Sequence, residues 1–147
     1  MKLLFETKID RPFLEIKSKF NLDLFVALKP PVVNLAVKRF DGCSPGHEVH
    51  LDLNTFGLKQ KWVSVITEET LTDKEWSFVD EGKFMPWPLG SWRHHHRVVA
   101  LDDKSSLIID DITFECVLPW MNIFMYPALW PTFAIRPSRY KKFFRGN

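Results

Sequence analysis

The sequence predicts an α+β fold: one curved antiparallel β-sheet with helices covering one face. Three observations predict it. Apolar residues alternate with period two in runs between residues 33 and 117, and short turn-forming stretches separate the runs. Helical spacing is confined to residues 13–28 and to the tail beyond Pro119. A single further strand-like run precedes the first helical stretch.

In chain order, Lys2–Ile9 reads as a strand, with Leu3, Phe5 and Thr7 facing away from Leu4 and Glu6. Asp10-Arg11-Pro12 reads as a helix start, an acid at the N-cap and proline in the first turn. Phe13, Ile16 and Phe20 then recur at helical spacing. Asn21 is placed to cap a second short helix over 22–28, which Pro30-Pro31 ends. Beyond Pro31, Val33, Leu35 and Val37 alternate, as do Val49, Leu51 and Leu53. Asp41-Gly42 and Ser44-Pro45-Gly46 turn the chain between them. Further strands are expected at 60–69, Glu75–Phe84, 91–101 and 106–117. The tail reads as two short helices, 121–129 and 138–144, broken by Pro127, Pro131 and Pro137.

The chain of 147 residues fits one domain, long enough to bury a core without disulfides. A net charge of +2 gives no compositional argument for nucleic acid. Cys43 and Cys116 form no framework or CxxC motif, so free thiols in a reducing compartment are expected. With no apolar run near the ~18 residues of a membrane span, a cytoplasmic location and no membrane insertion are expected. Thirteen Phe and six Trp exceed what a small core needs, and large rings suit the wall of an apolar pocket.

The densest chemistry lies in Ser91-Trp92-Arg93-His94-His95-His96-Arg97. Strand alternation puts Trp92, His94, His96 and Val98 on one face, and Arg93, His95, Arg97 and Val99 on the other. On the next strand, Ile108, Asp110, Ile112 and Phe114 share a face, opposite Asp111 and Glu115. Cations and acids match on the outer faces, so the apolar faces look inward. A turn over 101–105 sets Val98 opposite Ile108, His96 opposite Asp110, and His94 opposite Ile112. This register predicts a His96–Asp110 pair. The two preceding strands add Trp76, Phe78 and Asp80, then Trp62, Ser64 and Ile66. Alternating histidines beside a carboxylate also have metal-ligand spacing, whereas a hydrogen-bonded His–Asp pair in a pocket needs no metal.

Phe78-Val79-Asp80-Glu81, Pro86, the Trp92-to-Arg97 run, Asp110-Asp111-Ile112-Thr113-Phe114 and Leu118-Pro119 together resemble the pattern of bacterial ligand-binding SRPBCC proteins. These belong to the START/Bet v 1-like superfamily, which includes polyketide cyclase/dehydrase-like members. Phe20 through Leu28-Lys29-Pro30-Pro31 is similar to the family's second-helix exit, and Trp62 lies where a strand tryptophan is usual. The resemblance spans almost the whole chain. It implies a helix-grip fold: a curved antiparallel sheet, two short N-terminal helices and a C-terminal helical segment over a cavity. It also implies a single START-like ligand-binding domain over residues 1–147, with no obligatory metal or cofactor. Two features depart from the pattern: Met85-Pro86 replaces the usual Gly-Pro turn, and Pro131 and Pro137 interrupt the last helix.

The expected function is binding of a small hydrophobic or amphipathic molecule, as carrier or sensor. The expected ligand-binding residues are Trp62, Ser64, Trp76, Phe78, Asp80, Trp92, His94, His96, Val98, Asp110, Ile112 and Phe114. Two alternatives stay open. One is an enzyme using the His–Asp cluster for cyclisation or dehydration of a polyketide-like substrate. The other is an interaction module whose cavity is filled. Pro86-Trp87-Pro88-Leu89 and Trp120 to Tyr126 read either as a gate to the pocket or as the face of a homodimer.

Overall fold

The computed structural model describes residues 1–31 and 33–146. Seven strands form one sheet: β1 (Lys2–Ile9), β2 (Asn34–Phe40), β3 (Glu48–Thr55), β4 (Leu58–Leu71), β5 (Glu75–Phe84), β6 (Leu89–Ala100) and β7 (Ser106–Cys116). Their order is β1-β7-β6-β5-β4-β3-β2, antiparallel throughout. Strands β2 to β7 are a meander, as short turns between alternating runs require. Strand β1 departs from that order by pairing with the last strand, Leu3 opposite Ile112 and Phe5 opposite Asp110. The link from β1 to β2 therefore crosses the whole sheet. It carries two short helices, α1 (Phe13–Ser18) and α2 (Leu22–Ala27).

Local chemistry explains most boundaries. The Asn21 side chain accepts the Leu24 backbone N–H, the cap expected of it. At the β3–β4 hairpin, Phe56 and Gly57 both have positive φ, 52° and 85°. A two-residue loop between twisted strands demands that conformation, and glycine supplies half of it without strain. Register shifts at Val37/Arg39, Val63/Ser64, Ile66/Glu68 and Leu89/Ser91 mark bulges. Each adds local twist, and together they curl the sheet.

Three expectations need correction. Asp10 is not the cap of α1: Pro12 takes that position, and no side chain caps the helix. The tail is not broken at Pro127 or Pro131. Both lie inside α3 (Asn122–Ala134), which follows a single 3₁₀ turn at Pro119–Met121. Packing on β1 and β7 outweighs the two lost backbone bonds. Pro137 sits in the first turn of α4 (Arg136–Arg145), where its missing N–H costs little. On the outer face, the cations pair with β5 rather than β7. Arg97 grips Glu75 at 2.6 and 3.0 Å, and Arg93 reaches Glu81 at 3.7 Å. Lys2 of β1 takes Asp111, at 3.1 Å.

Two apolar clusters fill the concave side. One joins Ile9, Ile16, Leu24, Trp76, Val98, Ile108, Tyr140 and Phe144, tying α1, α2 and α4 to the sheet. The other joins Leu3, Trp92, Ile112, Phe114 and Phe133, tying α3 to β1, β6 and β7. Cys43 and Cys116 are free. Among the described residues no helix is long and apolar enough to cross a membrane.

Candidate functional site

Between the two clusters the sheet, α2 and the α3–α4 corner leave a cavity of about 210 Å³. Most of its wall is apolar, from Phe20, Leu24, Leu35, Leu51, Trp62 and Trp92 among others. Strand pairing sets its polar end. Asp80 lies opposite His94, Phe78 opposite His96, and His96 opposite Asp110. The β6–β7 register matches the one the sequence predicts, at Val98–Ile108, His96–Asp110 and His94–Ile112.

The carboxylate of Asp110 is the hub, with only 1% of its surface exposed. Its Oδ1 lies 2.8 Å from His94 Nε2, 3.2 Å from an Arg136 terminal nitrogen, 3.4 Å from Tyr140 Oη and 3.4 Å from His96 Nδ1. The short contact thus belongs to His94, not to His96 as the pairing alone suggests. Facing residues in a ladder point side by side, and the His94 ring leans diagonally across to Asp110. The two imidazole centroids lie 3.5 Å apart with the rings tilted by 31°, and His96 stacks on Phe78 at 4.4 Å.

Burial and charge divide the roles. Burial pushes the Asp110 carboxyl up, but the Arg136 charge and the histidine contacts outweigh it and hold the group well below the usual carboxylate range. Burial, with His96 alongside, holds His94 well below the ordinary histidine value. His94 is therefore a neutral ring, and an ionised carboxylate can only accept, so Nε2 carries the proton. Burial raises Asp80, opposed by His96 and by the Ser64 hydroxyl. Burial and the nearby Asp110 charge raise the Tyr140 phenol. Cys43, on the cavity wall, is pushed up to about 12 by burial, so its thiol is not a nucleophile at neutral pH.

Asp80 Oδ1 and Arg136 Nε, both buried and on cavity-lining residues, have no hydrogen-bond partner, and His96 Nδ1 has only its long 3.4 Å contact with Asp110. Such atoms normally find partners, because each orphan costs about 1–3 kcal/mol. Ligand atoms of His94, His96 and Asp110 lie within 4.8 Å of one another, which is metal-site spacing. The Arg136 guanidinium already neutralises that carboxylate, however, and a second cation there would meet it at close range.

Of the twelve residues expected at the site, Trp62, Ser64, Phe78, Asp80, Trp92, His94 and His96 line the cavity. Trp76, Val98, Asp110, Ile112 and Phe114 do not. They share the concave face but are packed beneath other side chains, at 0–2% exposure. Alternation assigns a residue to a face; it does not say which part of that face a helix covers. Sequence reasoning also missed Arg136. The signal was present: Phe133, Arg136, Tyr140 and Phe144 recur at spacings of three and four, so the arginine shares the buried face of three rings. A buried Asp110 required such a cation.

No family model matches the sequence, and no curated protein matches it. Solved structures do. Protein Ms6760 from Mycobacterium smegmatis has a TM-score of 0.68 at 14% identity, over 99% of this chain and 91% of that one. A START superfamily protein from the same organism has a TM-score of 0.64 at 13% identity, over 94% and 95% of the two chains. The di-domain ARO/CYC BexL from the BE-7585A biosynthetic pathway scores 0.64 at 12% identity, over 97% of this chain and 45% of its own. At these identities the likeness is one of fold. The chain has the START-like, SRPBCC-type helix-grip fold.

Proposed function

We propose that the protein is a single START-like ligand-binding domain that carries or senses a small hydrophobic or amphipathic molecule held in its internal cavity. One observation carries this reading: a cavity with a mostly apolar wall, lined at one end by the polar side chains of Asp80, His94, His96 and Arg136. A ligand with one polar end would set it against these side chains while its body lies on the rings. The size supports a compact ligand. A dry cavity of ~150 Å³ accepts one benzene ring, so about 210 Å³ suits one or two fused rings. The fold likeness to a START superfamily protein and to an ARO/CYC protein is consistent with this use.

Native mass spectrometry of the purified protein, compared with its denatured mass, tests the reading. The expected result is added organic mass that solvent extraction removes. Leu53→Trp places a large ring against the cavity wall, and is expected to abolish that mass while circular dichroism stays unchanged. Absence of any added mass, together with no uptake of naphthalene, would sink the proposal. Added mass of a transition metal would instead make His94 and His96 ligands. The enzyme alternative draws on the raised Asp80 carboxyl beside His96. It would be favoured if His96→Ala abolished turnover of a bound compound while binding remained.

We also propose a homodimer, formed through the apolar surface at the α3 end. Trp87, Trp120, Ile123 and Phe124 are each more than half exposed there, and the backbone bond from Val117 N to Pro88 O brings the two segments together. Trp and Phe in such density are typical of interface cores. Sedimentation equilibrium is expected to give twice the chain mass for the native protein and the monomer mass for Phe124→Asp. A native monomer at high micromolar concentration would overturn this. Neither nucleic acid nor a cofactor enters the proposal.

A further inference from the structure

One side of the cavity is closed by a side chain that belongs to neither the sheet nor a helix. Phe20 lies on the link between α1 and α2, and it lines the cavity. Its ring centroid is 5.2 Å from that of Trp76, 5.8 Å from Phe78, 6.2 Å from His96 and 6.4 Å from Tyr140. These four neighbours fall into two pairs. Phe78 and His96 line the cavity too, whereas Trp76 and Tyr140 do not and are no more than 2% exposed. Phe20 therefore stands at the boundary between the cavity and the packed rings beyond it. The link holds it there. Its N–H donates to the Lys17 carbonyl at 3.1 Å, and the next residue, Asn21, caps α2.

We propose that Phe20 determines the size of the ligand, a step that rests on the cavity reading above. Its ring plugs the cavity on the side of Trp76 and Tyr140 and limits the occupant to about two fused rings. A dry cavity of ~150 Å³ holds one benzene ring. The Phe20 side chain ends in such a ring, so its removal opens room for one further ring beside the space already present. That room would persist, because a truncated site collapses only as far as its neighbours can move. The rings behind Phe20 are anchored. The Trp76 indole N–H donates to Glu69 at 2.8 Å, and the Tyr140 hydroxyl donates to Asp110 at 3.4 Å. Neither can swing into the gap without breaking that bond. The same anchoring works against a larger ligand in the native cavity, which would press Phe20 onto rings that do not yield.

Two probes that differ by one ring test the proposal, naphthalene and phenanthrene, read by quenching of the cavity tryptophans Trp62 and Trp92 and checked by calorimetry. The native protein is expected to bind naphthalene, and phenanthrene at least ~10-fold more weakly, the scale of overpacking a filled site. In Phe20→Ala the order is expected to reverse, with phenanthrene gaining at least ~10-fold over the native protein and becoming the tighter of the two. Phe20→Leu keeps more of the side chain and is expected to gain ~3-fold for phenanthrene; it decides the matter if circular dichroism shows that the alanine variant does not fold. Native protein that binds phenanthrene as tightly as naphthalene would overturn the proposal, because Phe20 would then set no limit. A folded Phe20→Ala with no gain for phenanthrene would also overturn it, as would no gain in Phe20→Leu where that variant decides. In these cases naphthalene still binds and the cavity reading stands. If naphthalene does not bind the native protein, the cavity reading itself falls, and this inference falls with it.

Discussion

Asp110→Ala is expected to destabilise the fold by ~3–5 kcal/mol, the range for removing one partner of a buried ion pair. The size follows from what is left behind. Arg136 would keep a guanidinium that is mostly enclosed, without the carboxylate that pairs with it. His94 would lose the acceptor of its Nε2 proton, and the Tyr140 phenol would lose the carboxylate it donates to. The substitution also detaches the sheet from α4 at the point where the polar contacts between them concentrate. Loss of the pair as a unit should cost much less. Asp110→Leu with Arg136→Met replaces both charges by apolar groups of similar size, and should recover most of the stability. Urea unfolding of both variants measures the difference. A single Asp110→Ala loss below ~1 kcal/mol would show that water reaches Arg136 and that the pair is not isolated from solvent.

The same cluster shows how far the sequence could be read. Strand alternation placed Trp92, His94, His96 and Val98 on one face, and the loop length set their partners on β7 correctly. Those inferences succeeded because a strand has one period and a hairpin one register, so local pattern suffices. Which histidine takes the carboxylate was not legible. That choice depends on ring rotation and on the Phe78 and Phe133 rings that wedge each imidazole. Arg136 was harder still. It lies 26 residues from Asp110, on a helix whose start the prolines concealed, and the partnership exists only because α4 crosses the sheet at that strand. The continuity of α3 through Pro127 and Pro131 was lost for a related reason. Proline weighs heavily in any local reading, whereas the packing that compensates for it comes from β1 and β7, far away in sequence. The wall supplied by Leu35, Leu51 and Leu53 was half legible: their alternation was plain, but their closeness to α2 was not.

Acidification is expected to unfold the protein in a range set first by His94. In the unfolded chain a histidine takes up its proton near pH 6.5, whereas His94 in the fold stays neutral well below that. Between those two points the unfolded state holds one proton more, so stability falls as pH falls, by about 1.4 kcal/mol per pH unit. Asp110 adds to it only at lower pH. Its carboxyl is depressed in the fold, so its contribution is complete above the unfolded value near 3.8 and is lost below that value. Asp80 acts in the opposite sense. Its folded pKa is raised, so the fold takes the proton first, and acidification towards 3.8 returns some stability. His95 is lowered too and has the sign of His94, though it stands on the outer face, where solvent and salt weaken the effect. His94→Gln separates these contributions. The amide can still donate to Asp110 but cannot titrate, so the variant should be less stable at pH 7 and nearly flat from pH 6.5 to pH 5. Thermal unfolding at half-unit steps reads both slopes. A native slope that persists unchanged in His94→Gln would assign the acid sensitivity to other groups and return His94 to a purely packing role.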